Sequence, residues 1–150
     1  MSRGSWVVGL VLVQTLAPGS RLWAQTIRSE LGIQAYGLFG DADGGGGGLY
    51  LAHRAGPRGR ISLFAGAGGG EGGASGRAEA LVHLLVSPAR RRGAAPYLAG
   101  GLGLDIADRT EARLVALIGL EGSPGGRRGW VLEGGVGGGW RLAAGWRWRR

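Results

Sequence analysis

Residues 77–86 read RAEALVHLLV, and this stretch decides the fold. Ala78, Ala80, Val82, Leu84 and Val86 occupy one phase of an alternation; Arg77, Glu79 and His83 occupy the other. Successive side chains of a strand point to opposite faces, so a period of two predicts a strand with one uncharged and one charged face. Residues 97–106 repeat the pattern, with Leu98, Leu102, Leu104 and Ile106 opposite Asp105. In residues 111–121, Leu114, Ala116, Ile118 and Leu120 oppose Glu111, Arg113 and Glu121. Residues 130–137 set Trp130, Leu132 and Val136 against Glu133. Residues 140–149 set Trp140, Leu142, Ala144, Trp146 and Trp148 against Arg141, Arg147 and Arg149. Upstream, Leu31–Ile33–Ala35, Leu49–Leu51 and Ile61–Leu63–Ala65 alternate with more polar positions, including Glu30, Gln34, Arg60 and Ser62. Gly or Pro bounds each of these shorter segments, as it bounds strands. The chain therefore reads as all-β, with eight antiparallel strands in an up-and-down meander.

Composition removes several alternatives. A chain of 150 residues is one domain. Its 35 glycines follow no Gly-X-Y period, which excludes collagen. A hydrophobic fraction of 44% and six tryptophans argue against low-complexity disorder. The absence of cysteine excludes disulfides and thiolate metal sites. The net charge is +8, and every basic side chain other than the histidines is Arg.

Residues 1–24 carry the features of a cleaved secretory signal. Arg3 supplies a positive start, residues 6–16 (WVVGLVLVQTL) an apolar run, and Ala24 a small residue before Gln25. The run is too short for a spanning helix, and a buried or anchoring N-terminal helix is the competing reading. The expected organisation is a signal peptide over residues 1–24 and a β-barrel over residues 25–150.

Alternation alone fits both a soluble sandwich and a membrane barrel. The charged phase also carries Gly101, Gly103, Gly119, Gly135, Gly137 and Gly145, which suits a narrow lumen where space is short and charges must pair. Trp130 opens one strand while Trp146 and Trp148 end its neighbour. Antiparallel pairing puts all three at one end on the apolar side, as a membrane girdle requires. The connections segregate by charge. Residues 55–58, 87–96 and 122–128 are basic; residues 41–48, 66–76 and 105–110 carry Asp41, Asp43, Glu71, Asp105 and Asp108 against Arg109 alone. Alternate connections of a meander share a rim, so one rim is Arg-rich and the other acidic. With both termini periplasmic, the Arg rim faces the periplasm.

The stretch Pro96-Tyr97-Leu98-Ala99-Gly100-Gly101-Leu102-Gly103-Leu104 resembles a strand of small bacterial outer-membrane β-barrels of the opacity-protein and OmpA-like kind. Residues 139–149 resemble their closing strand, although this chain ends Trp148-Arg149-Arg150 where such proteins finish on an aromatic residue. The resemblance implies an eight-stranded transmembrane barrel in the outer membrane of a Gram-negative bacterium. It implies outer-membrane lipids and the barrel-assembly machinery as partners.

The expected interior is a ladder of Glu–Arg pairs drawn from Arg77, Glu79, Glu111, Arg113, Glu133, Arg141 and Arg147, each guanidinium fork satisfying a carboxylate. Trp130, Trp146 and Trp148 form the expected girdle. His83 with Ser62 and Glu79 is the one constellation open to catalysis, and a satisfied structural histidine is the preferred reading. Asp41-Ala42-Asp43-Gly44 starts like a calcium loop but lacks the later ligands. The glycine runs lack the Lys-Ser/Thr pair of a phosphate cradle. Arg90-Arg91-Arg92 suits anionic headgroups or a solvated turn better than nucleic acid. The expectation is a monomeric barrel with no catalytic, cofactor or metal site and a structural or surface-interaction role. The alternatives are a soluble secreted β-barrel or sandwich binding a small apolar ligand, and a narrow pore.

Overall fold

A computed structural model describes residues 29–40 and 43–150; the expected signal peptide of residues 1–24, Asp41 and Ala42 lie outside the described residues. Eight strands follow one another around a closed barrel: β1 Ser29–Phe39, β2 Gly44–Arg54, β3 Gly59–Gly70, β4 Gly73–Leu85, β5 Ala94–Ile106, β6 Thr110–Gly122, β7 Arg128–Val136 and β8 Trp140–Arg149. Each pairs antiparallel with its sequence neighbour, and β1 closes on β8 from Glu30 opposite Arg149 to Phe39 opposite Trp140. The meander and the strand count agree with the sequence reading. Reciprocal backbone hydrogen bonds between Ser29 and Arg150, at 3.2 and 2.9 Å, finish the seam.

The end that holds Ser29 and Arg149 is called the lower end here; it also carries the turns 55–58, 86–93 and 123–127. The upper end carries the connection between β1 and β2 and the turns at residues 71–72, 107–109 and 137–139.

Three upper connections differ from expectation. The glycine stretches 41–48 and 66–76 were expected to be long loops, yet most of their residues are strand. Gly44, Gly45, Gly46 and Gly48 pair with Gly70, Gly69, Gly68 and Gly66, leaving Glu71 and Gly72 as the turn. The reason is steric. A Cβ on Gly46, Gly48 or Gly68 would collide with backbone of the paired strand, so glycine is what lets β2 and β3 come this close. Gly73, at φ +96°, adopts the left-handed conformation that the tight turn requires. Asp105 and Ile106 likewise belong to β5, which shortens the next connection to residues 107–109.

The phase assignment decides what lies inside. Leu98, Leu102, Leu114, Ile118 and Leu142 point outward and are half-exposed or more. The inward phase is mixed. Leu81, Leu85, Tyr97, Ala99, Val115, Leu117 and Val131 form an apolar wall over β4–β7, facing charged side chains from β8, β1 and β3.

Candidate functional site

The candidate site is the lumen, where four carboxylates are shared among more numerous arginines. At the lower end Arg60 donates to Glu121 at 2.7 Å and to Glu30 at 3.3 Å. Arg149 donates to Glu121 at 3.1 Å and lies 3.4 Å from Glu30. One layer higher, Glu133 accepts from Arg147 at 3.1 Å, from the Tyr97 hydroxyl and from the Gln34 amide. Above that, Glu79 accepts from Arg77 Nε at 2.6 Å and from Arg141 at 2.7 Å.

A ladder of separate pairs was expected, and the lumen instead holds a connected network. Opposite walls of a small barrel lie within one guanidinium's reach, and arginines outnumber carboxylates. Tyrosine faces take part of the surplus charge: the Arg147 guanidinium lies 4.0 Å from the centroid of Tyr50, and that of Arg60 lies 5.0 Å from Tyr97.

Of the residues predicted from sequence, Arg77, Glu79, Glu133, Arg141 and Arg147 meet in this buried network. Glu111 and Arg113 do not. They pair with each other at 2.6 Å, and Arg113 with Asp105 at 3.0 Å, at the partly exposed upper mouth. The cause is position: β6 begins at Thr110, so they are its first inward residues and sit at the rim. Glu30, Arg60, Glu121 and Arg149 were missed as network members, though all four share the inward phase. Tyr50 and Tyr97 were legible only as inward aromatics.

His83, Ser62 and Arg60 form a fixed chain of contacts. Arg60 Nη2 lies 3.1 Å from His83 Nδ1, and His83 Nε2 lies 2.7 Å from Ser62 Oγ. A guanidinium can only donate, so Nδ1 accepts and the ring proton sits on Nε2, donating to Ser62. A histidine that activates a serine needs the reverse arrangement, a free lone pair facing the hydroxyl.

The two ends differ. At the lower end Arg54 donates to the carbonyls of Pro124, at 2.9 Å, and Pro88, at 3.3 Å. The turn at residues 123–127 is stitched to the turn at residues 86–93 by Ser123 N to Gly93 O at 2.8 Å and Gly125 N to Arg90 O at 2.7 Å. Ser123 takes a φ of 47° there, and Pro124 is fully buried. Arg60, Arg147 and Arg149 behind this cover have almost no accessible surface. The upper end is a cup of about 390 Å³, lined by Tyr36, Leu38, Ser75, Asp105, Arg113 and several glycines. Its floor is the Arg77–Asp105 ion pair at 2.9 Å.

On the outside, Trp130 pairs with Trp146, and Trp148 pairs with Arg128, so the three tryptophans form one patch above the lower rim. Their exposures are 38%, 42% and 39%. Trp140, paired with Phe39, stands at the opposite end.

No protein-family model matches the chain, and a search of curated proteins finds no match either.

Proposed function

We propose that this chain is an outer-membrane β-barrel of a Gram-negative bacterium, exported by the leader at residues 1–24 and spanning the bilayer with the barrel of residues 25–150. Its role is structural or interactive at the envelope surface, without catalysis. The observation that carries this reading is the inversion of the barrel: large apolar side chains cover the outside, while a network of arginines and glutamates is buried inside against one apolar wall. A soluble barrel that binds an apolar ligand needs the opposite arrangement. In water so much contiguous apolar surface is an association hazard, whereas in lipid it is the required surface. Strands of 9 to 13 residues have the length that a tilted transmembrane strand needs. Closure gives every strand a neighbour on both sides, as the hydrocarbon demands.

The lower cover and the packed arginines speak against the narrow-pore alternative. The Nε2–H tautomer of His83 speaks against a serine nucleophile at Ser62. Outer-membrane lipids and the assembly machinery are the partners this reading requires, with a monomer as the working unit.

Heat-modifiability in detergent tests the proposal. Protein from the outer-membrane fraction should migrate faster unboiled than boiled. A soluble periplasmic protein with no mobility shift would overturn the reading.

A further inference from the structure

The lower rim exposes charge of a single sign. Arg58 stands in the turn after β2, Arg90, Arg91 and Arg92 in the turn after β4, Arg127 and Arg128 where β7 begins, and Arg150 beyond β8; all are exposed. Among the described residues, the acidic side chains at this end are Glu30 and Glu121, both buried and held by lumen arginines. Among the described residues this rim therefore has no exposed acidic side chain to set against its arginines. The opposite rim has Asp43, Glu71, Asp108 and Glu111 exposed.

Position makes this more than a solvated collar. Arg128 is the cross-strand partner of Trp148 and lies two residues before Trp130 on the same outward phase. Arg150 follows Trp148 on that phase. Guanidiniums thus continue the outward tryptophan patch toward the lower edge. Tryptophan rings settle at the level of lipid headgroups, so these arginines stand where the phosphates are. Guanidinium forks bind phosphate in bidentate fashion, and the rim surrounds the barrel with them.

We propose that the lower rim is a binding surface for anionic phospholipids, retaining a shell of phosphatidylglycerol-type lipids in the leaflet on the side of the chain termini. The proposal rests on the membrane reading above and goes further, because it names the lipid class and the leaflet.

The tryptophans report on it directly. Protein purified from the outer-membrane fraction, without residues 1–24 and so without Trp6 and Trp23, is reconstituted in vesicles of phosphatidylcholine containing either brominated phosphatidylglycerol or brominated phosphatidylcholine, and quenching of tryptophan fluorescence is compared. The expected result is a relative binding constant of about five or more in favour of the anionic lipid. It should be retained in Trp140→Phe, since Trp130, Trp146 and Trp148 are the reporters. It should collapse toward unity at about 1 M salt, where screening acts within about 3 Å. It should collapse equally in the variant R91S/R92S/R128S/R150S, whose substitutions fall on exposed positions and whose folding is checked by the gel shift. Equal quenching by the two lipids in folded wild type overturns the inference and leaves the barrel reading intact. So does a preference that survives in the arginine variant, or one seen for lipid A phosphates but not for phosphatidylglycerol. Absence of quenching by either lipid overturns both, because it takes the tryptophans out of the bilayer.

Discussion

Glu133 shows what one inward residue does. It accepts from Arg147, Tyr97 and Gln34 and lies 3.6 Å from Arg141. Removing it strips the buried Arg147 guanidinium of its hydrogen-bonded carboxylate and leaves it Glu121 at 3.6 Å, with Tyr97 and Gln34 also losing their acceptor, the case in which a broken buried pair is most destabilising. Glu133→Ala should cost about 3–5 kcal/mol. Glu111 also accepts from an arginine, but its side chain is 57% exposed and Arg113 keeps Asp105 as a second partner. Glu111→Ala should cost roughly 0–1 kcal/mol. Urea unfolding midpoints in detergent micelles or vesicles compare the two directly; similar losses would mean that lumen and mouth share one environment. Both residues lie on one phase of the alternation, and the difference between them comes from where β6 starts and how deep β7 sets its carboxylate.

At the scale of the strand, the glycine run of β2 carries a prediction that its composition conceals. Gly48 faces the lumen, and a Cβ there would collide with the Ala65 and Gly66 backbone of β3; a Cβ on outward-facing Gly47 would meet Gln34 O at 3.3 Å and Ala35 Cα at 3.9 Å. Gly48→Ala should therefore cost about 1–3 kcal/mol by forcing the strands apart, while Gly47→Ala should be neutral or slightly stabilising. The same unfolding midpoints test this, and an equal effect at adjacent positions would contradict the register. This run also marks where the sequence was hard to read. In β4 to β8, alternating Leu, Val, Trp, Glu and Arg make the strands and their faces legible from the residues alone. In residues 44–48 and 66–70 there are few side chains to alternate, so strand and loop look identical, and only the pairing of the two stretches distinguishes them. The inward phase was legible as polar, with Leu81 and Leu85 among its positions, but not the apolar wall that these two complete with Val115 and Val131. Nor was the sharing of carboxylates, which depends on which residues face each other across the lumen.

As a whole the molecule is a cup, sealed below by the turn around Pro124 and open above. In planar bilayers the folded protein should show no stepwise conductance, because Arg60, Arg147 and Arg149 leave no continuous aqueous path; steady single-channel steps would show that the lower cover moves aside. The segregation of charge between the rims has a separate consequence for the route into a membrane. On the membrane reading proposed above, one end is carried across the hydrocarbon while the other stays behind. Carboxylates can cross as neutral acids, and the upper turns are short; guanidiniums stay charged, and the lower rim is crowded with them. The acidic rim should lead and the arginine rim trail, so that molecules inserting from one side all end with the same orientation. Trypsin added outside vesicles into which the protein has folded should then cut every molecule after Arg90, Arg91 or Arg92, whereas a protected half would mean that the barrel enters either way round.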